Sequence, residues 1–396
     1  MNTSKRLTCL SFKELFTSLD QWLAQHKLLW DVQTFHSLEW PWHESLPALC
    51  EWLQNCENEP NAVQVEHALT RFVPGFQVFK WAWETSVQKA LAAPSSHFSA
   101  GIKGRKWQQI QAFSQAVSPA SPVLEWCAGK GHLGKLVAFQ HQVKVVSIEW
   151  QASLCEAGQL ASDQRKLAQR FIHADVLKGE GMAPLQQANS ALALHACGDL
   201  HTTLIEQGIA AQLQYIALSP CCYHLTQAKH YQPLSQVGRQ ARTTLTQENL
   251  KLAVKEVATA GQREQRLKQL ELIYRLGFDA WQRMVTGSDG YLTVPSCPKT
   301  LLAKGFVAFA EWAAEQKNLS NYITSHSLEG FEEMGRQRSL QVAKVEAICQ
   351  YFRRPLELWL VLDRALRLQE ADYHVSVEEF CDKTLTPRNF LIRAQR

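Results

Sequence analysis

The sequence predicts an α/β fold of the Rossmann-like kind, with an all-helical region ahead of it and a helical insertion within it. Three observations carry that prediction. From Val123 to Ser219, short apolar runs alternate with helical stretches, as in a parallel sheet covered on both faces. Before them, residues 9–92 repeat apolar side chains every three or four positions, the period of a helix face. After them, residues 225–345 break the alternation, and residues 356–396 resume it with one helix and two strands.

The elements follow in order. Phe12, Leu15, Phe16, Leu19, Trp22 and Leu23 share one helical face, and Leu46, Leu49, Trp52 and Leu53 share another, with Pro41 and the polar run Asn55–Asn61 as punctuation. These aromatic stripes read as core, because large apolar side chains are buried by default. Ala93–Gly104 is a loop of small residues and a domain boundary. A helix over Trp107–Val117 leads into strands at Val123–Glu125, Val143–Glu149, Phe171–His173, Ala191–His195 and Tyr215–Ser219. The insertion reads as helices over Leu245–Ala260, Arg263–Leu276, Ala303–Gln316 and Ser339–Tyr351. Leu356–Leu368 is a strongly apolar helix, and Tyr373–Phe380 and Asn389–Arg393 are strands. The expected domains are a helical one over 1–95 and an α/β one over 100–396, interrupted at about 225–350.

Composition narrows the function classes. The chain has 396 residues, 46% of them hydrophobic, ample for a packed core. No stretch reaches the ~20 apolar residues of a membrane span. Eleven cysteines without a framework spacing point to free thiols in a reducing, cytoplasmic compartment. The net charge of +4 is too small to announce nucleic-acid binding, but residues 227–283 carry 10 Lys/Arg against 5 Asp/Glu. Such a run either receives a polyanion or is a solvated helix face. Lys103, Arg105 and Lys106 present the same choice: a phosphate-bearing substrate, or a solvated helix start. Lys103 and Lys106 are candidate substrate contacts.

The chemistry gathers at strand ends. VLEWCAGKGHLG, Val123 to Gly134, reads as a strand, an acid, a glycine-rich turn and a helix start. Gly129, Gly131 and Gly134 also fit the dinucleotide fingerprint. Glu125 would repel a pyrophosphate and attract a sulfonium, which favours S-adenosylmethionine over a nicotinamide cofactor. Glu149 ends the second strand, where a carboxylate accepts ribose hydroxyls, and Asp175 follows the third, placed for an adenine amino group. After the fourth strand, His195 is either a cofactor or acceptor contact or a satisfied core histidine, and Asp199 is either a base or a helix N-cap. After the fifth come Cys221, Cys222, Tyr223 and His224. Cys221 and Cys222 are expected to shape the acceptor pocket, and Tyr223 and His224, with Asp199, are candidate proton acceptors. Adjacent cysteines without CxxC or HxxxH spacing argue against a metal.

EWCAGKGHLG, HACGDL, PCCYH and LTPRNFLI together resemble methyltransferase-like proteins of the ribosomal RNA adenine dimethylase domain-containing type. They also resemble the methyltransferase part of the glutathione S-transferase C-terminal domain-containing protein and, more distantly, the tRNA acceptor-stem 2′-O-methyltransferases. The resemblance implies a class I, S-adenosylmethionine-dependent methyltransferase sheet of seven strands whose last two form an antiparallel hairpin. It places the cofactor loop on Glu125, Cys127, Gly129 and Gly131 and the ribose acid on Glu149, and it matches Arg388 and Asn389 without giving them a role. Cys127 departs from the usual glycine, and no Asn-Pro-Pro-Tyr is present. With the basic insert, the resemblance implies RNA as acceptor. The alternatives are a protein or small-molecule acceptor, a NAD-linked oxidoreductase, and a non-catalytic binding protein.

Overall fold

The computed structural model describes residues 10–36, 38–81, 89–255, 262–324 and 327–396. Seven strands form one sheet in the order β3-β2-β1-β4-β5-β7-β6. They are β1 (Val123–Glu125), β2 (Val145–Glu149), β3 (Gln169–His173), β4 (Ser190–Cys197), β5 (Tyr215–Cys221), β6 (His374–Glu379) and β7 (Phe390–Gln395). The first five pair in parallel, whereas β7 pairs antiparallel with both β5 and β6. The expected sheet and closing hairpin are both present. All seven residues of β5 are buried, which is why it reads as a continuous apolar run rather than an alternation. Ile110 and Phe113 of helix Gly104–Ala116, and Leu133, Leu136 and Val137 of helix His132–His141, pack on Val123, Val145, Leu192, Ala217 and Leu391 of the sheet.

Two compact units divide the chain differently from the expected 1–95 and 100–396. The sheet unit comprises 1–25, 79–254 and 354–396, and the helical unit comprises 26–78 and 255–353. Helix Phe12–Gln25 belongs to the sheet unit. Its Asp20, 6% exposed, accepts from the Arg242 and Thr243 backbone N–H groups at 2.8 and 3.0 Å and from Trp359 Nε1 at 3.1 Å. A buried carboxylate so satisfied fixes its helix in place. The stretch 73–81 is not helical, for Pro74-Gly75 follows helix Ala62–Phe72 and ends the pattern. Residues 82–88 of the expected helical stretch, and 256–260 of the expected helix Leu245–Ala260, lie outside the described residues.

The helical unit has its own core, with Phe278, Trp281, Phe309, Ala313 and Phe331 at its centre. Much of its positive charge is internally matched. Arg283 and Arg338 both bond to the buried Asp279, at 2.9 and 2.7 Å, Arg275 bonds to Glu271 at 2.7 Å, and Lys255 pairs with Glu346. Among the described residues of the run that reads as basic, Lys251, Lys255, Lys268, Arg275 and Arg283 pair with carboxylates, the last three at i,i+4 spacing. Among the described residues no helix is long and apolar enough to cross a membrane.

Candidate active site

The predicted acids, cysteines and histidines follow the carboxyl ends of β1–β5, where an open α/β sheet presents its ligands, whereas Lys103 and Lys106 lie at the start of helix Gly104–Ala116. Glu149 and Asp175 line one cavity of about 420 Å³, together with Cys127, Trp150, Leu154 and Leu177. Glu149, 6% exposed, accepts from the Gly129 N–H at 2.8 Å and from the Gln151 N–H at 3.1 Å. Each carboxylate oxygen keeps a further lone pair for a ligand. Asp175 accepts from the Leu177 N–H at 3.1 Å and pairs with Lys178 at 3.5 Å. Trp150 is 64% and Leu177 50% exposed, so the cavity mouth carries an uncovered aromatic face that periodicity does not single out. A cavity of about 480 Å³ lies at the amino ends of β1–β3, among Pro122, Lys144 and Ala168, at the edge of the sheet away from these side chains.

Glu125 corrects the sequence reading. It is 3% exposed and turned beneath the glycine turn, accepting from the Gly134 N–H at 2.9 Å and from Ser147 Oγ at 2.6 Å. Gln169 donates to Ser147 Oγ at 2.8 Å and to the Gly131 carbonyl at 3.2 Å. The acid therefore ties the end of β1 to the first turn of the next helix instead of facing a sulfonium. The glycines are needed for the same packing. A Cβ on Gly134 would meet Glu125 Oε2 at 2.4 Å, and one on Gly131 (φ +62°) would meet Phe171 Cζ at 2.3 Å. Cys127 adopts φ 55°, the left-handed backbone for which glycine is the ordinary residue. Burial, then Glu149, pushes its thiol up to about 12, so it lines the cavity as a neutral group.

Burial raises the Glu125 carboxyl to about 7, against the Ser147 and Gly134 hydrogen bonds. A carboxyl held above its unfolded value binds its proton more tightly when folded, so stability falls as pH rises through the window from about 4.5 to about 7. Between pH 5.5 and pH 8 this carboxyl takes stability away as pH rises, whereas the buried His132 and His195, lowered to about 4, add it, so the Glu125 contribution is read from a variant. In urea denaturation Glu125→Gln, which mimics the protonated acid, is expected to remove that contribution and to shift the stability difference between pH 5.5 and pH 8 by about 2 kcal/mol from the wild type, since each tenfold change in proton affinity is worth about 1.4 kcal/mol. Identical slopes for the two proteins would show that Glu125 is ionised throughout.

His195 adopts φ 64°, its Nε2 lies 3.0 Å from Gln109 Oε1, and burial lowers it to about 4. Lys106 acts electrostatically on His195, Glu125 and His132, which places this cation at the site's edge. Lys103, Arg105 and Lys106 are all exposed. The expectation for Asp199 is corrected in its capping branch: Gly198 is the N-cap, and the Asp199 carboxylate accepts from the Gln227 N–H at 3.0 Å. Tyr223 is 2% exposed, its hydroxyl has no hydrogen-bond partner, and burial holds it well above its ordinary range. It is a wall of the site, stacked under Arg364 at 4.8 Å, and a poor proton acceptor. His224 is half-buried with Nδ1 unpartnered.

The Cys221 and Cys222 side chains meet Cys197. Donation from the Cys197 and Cys221 thiols holds the Cys222 thiol below its ordinary range. Arg388 acts on Cys222 and His195, and Ser219 Oγ donates to the Arg388 carbonyl at 3.1 Å. Its neighbour Asn389 is fully buried and joins the Arg354 guanidinium, at 2.6 Å, to the Cys381 carbonyl, at 2.7 Å. A third cavity, of about 210 Å³, is lined by Lys130, His132, Lys135, Arg165 and Phe98. Lys135 is 8% exposed, and burial lowers it to about 8.

Comparison with known proteins agrees with this geometry. A family model described as "Methyltransferase domain" matches residues 105–229, which takes in β1–β5 and the glycine turn. The human Glutathione S-transferase C-terminal domain-containing protein is 28% identical over 154 residues, 37% of this chain and 23% of that protein. Its Macaca fascicularis counterpart gives the same figures, so the chain spans about a quarter of the length of these relatives. Among solved structures, coclaurine N-methyltransferase bound to N-methylheliamine and SAH aligns over 80% of this chain and 93% of that one. The match has 13% identity and a TM-score of 0.29, too distant to carry structural detail. S-adenosylmethionine is the cofactor that goes with such a domain. Residues 105–229 thus resemble a methyltransferase domain, set in a Rossmann-like seven-stranded sheet that residues 374–395 complete.

Proposed function

We propose that this protein is an S-adenosylmethionine-dependent methyltransferase whose acceptor is RNA. The observation that carries the cofactor reading is the cavity with Glu149 and Asp175 on its walls and Trp150 uncovered at its mouth. Glu149 accepts the ribose hydroxyls, Asp175 accepts from the adenine amino group, and the Trp150 face stacks on the ring. Bound there, S-adenosylmethionine supplies an electrophilic methyl group to an acceptor aligned with it. His224 takes the acceptor's proton, since Asp199 is held by Gln227 and Tyr223 is kept protonated by burial. Positioning by these walls supplies much of the rate.

RNA is favoured over a protein or small molecule by the cavity of Lys130, His132, Lys135 and Arg165, with Lys106 beside it. Three cations, Lys130, Lys135 and Arg165, set round one hollow with no carboxylate on its lining suit a phosphate, with the neutral His132 beside them. The test is transfer of a tritiated methyl group to fractionated RNA, protein and small molecules. Label in RNA is the expected result, and label in protein alone overturns the acceptor class. Lys130→Gln with Lys135→Gln is expected to weaken RNA binding and to make the slope of log K against log salt shallower by about 2. An unchanged slope would remove the phosphate role.

A further inference from the structure

Three cysteines at the ends of β4 and β5 bring their sulfur atoms within 4.8 Å of one another. Cys197 and Cys221 are register partners on neighbouring parallel strands, with their Sγ atoms 3.4 Å apart. The β4–β5 ladder shifts between Leu194 and Cys197, and His195, inside that shift, adopts φ 64°. In an extended strand Cys222 would point to the opposite face from Cys221. Its φ of 46° breaks the alternation, and its sulfur joins the other two. The sequence argument against a metal, that adjacent cysteines lack a ligand spacing, is therefore answered by the backbone, which turns both side chains to Cys197. Left-handed conformations at non-glycine residues cost on the order of 1 kcal/mol each and cluster at functional sites. All three cysteines are free thiols.

We propose that Cys197, Cys221 and Cys222 bind a thiophilic divalent cation, zinc first among them, beside the cofactor cavity. Thiolates select zinc and its neighbours, and the cluster contains no oxygen ligand of the kind magnesium or calcium requires. Zinc–sulfur bonds of about 2.3 Å in a tetrahedron set sulfurs about 3.8 Å apart, between the 3.4 Å of the close pair and the 4.8 Å limit of the group. Binding passes the thiol protons to solvent and oxidises nothing. The resulting centre has one net negative charge, and Arg388, which acts on Cys222, offsets it. Three protein ligands leave one tetrahedral position, as at zinc sites that do chemistry rather than only hold structure. Water fills it. Cys197 also acts electrostatically on Cys127, which lines the cofactor cavity, so the ion adjoins that cavity. Metal content is read without any methyl transfer, so this proposal and the proposed activity fail separately.

The test uses the full chain, purified without chelator or tag-bound metal and kept reduced. Elemental analysis is expected to find about one zinc per chain. Cys222→Ser and Cys197→Ser are each expected to lower it at least tenfold, whereas Cys56→Ser, outside the cluster, keeps it. Cobalt(II) added to the metal-free wild type is expected to give a thiolate-to-cobalt charge-transfer band and the intense visible bands of tetrahedral coordination. That titration needs no variant, so misfolding of a serine variant does not remove the test. Only traces of metal in the purified chain, with no charge-transfer band on cobalt addition, would overturn the site. Zinc retained in full by folded Cys197→Ser and Cys222→Ser would overturn it equally.

Discussion

Glu149→Ala is expected to weaken S-adenosylhomocysteine binding between about 10- and 100-fold. The carboxylate sits at the end of β2, 6% exposed, and fastens the Gly129 and Gln151 N–H groups at 2.8 and 3.1 Å while facing the cavity. Removing it deletes the proposed ribose acceptor and frees the glycine turn from its anchor. Hydrogen bonds to a charged group are worth about 1.5–3 kcal/mol each, and about 1.4 kcal/mol is a factor of ten in affinity. Calorimetry of wild type, Glu149→Ala and Glu149→Gln gives the comparison, with the exposed Glu156→Ala as control. Glu149→Gln keeps an acceptor for the turn and is expected to fall between the two. Affinity unchanged in a folded Glu149→Ala would move the cofactor elsewhere. Protection by NADH in its place would revive the oxidoreductase alternative.

Arg354→Met is expected to cost about 3–5 kcal/mol of stability, the range for removing one partner of a buried ion pair. The Arg354 guanidinium bonds to Glu357 at 2.7 Å, Glu379 at 2.5 Å, Asn389 Oδ1 at 2.6 Å and the Pro387 carbonyl at 3.2 Å, and lies 3.4 Å from the centre of the Phe390 ring. Without it, the carboxylate of Glu357, 1% exposed, loses this guanidinium partner. The network also reaches the site, because it pins the chain on both sides of Arg388, the cation beside Cys222 and His195. Urea denaturation measures the loss. Arg354→Lys is expected to recover little of it, since an ammonium cannot reproduce the fork. A loss below about 1 kcal/mol would show that the network relaxes around the missing group.

Strand ends were legible in the sequence because they are written locally. The apolar runs of β1–β5 and the turn residues after them place Glu149 and Asp175 on one edge whatever the rest of the chain does. Trp150 was overlooked because an aromatic residue after a strand reads as core, and only exposure distinguishes it. Ser147 and Gln169 lie inside strands, where spacing alone does not show that they close a buried network on Glu125.

By itself the sequence determined the parallel sheet, its closing strands, the glycine turn and the placing of Glu149 and Asp175 at strand ends, since each depends on neighbours in the chain. Tertiary structure decided what depends on distant segments meeting. It turned Glu125 inward, because Ser147 on the adjacent strand and Gly134 on the following helix supply its donors. It joined residues 26–78 to 255–353 in one helical unit, a pairing that no local period encodes. It matched much of the insertion's positive charge with carboxylates such as Asp279. The meeting of Cys197 with Cys221 and Cys222 follows from strand register and one left-handed residue, and register is set by the packing of the whole sheet.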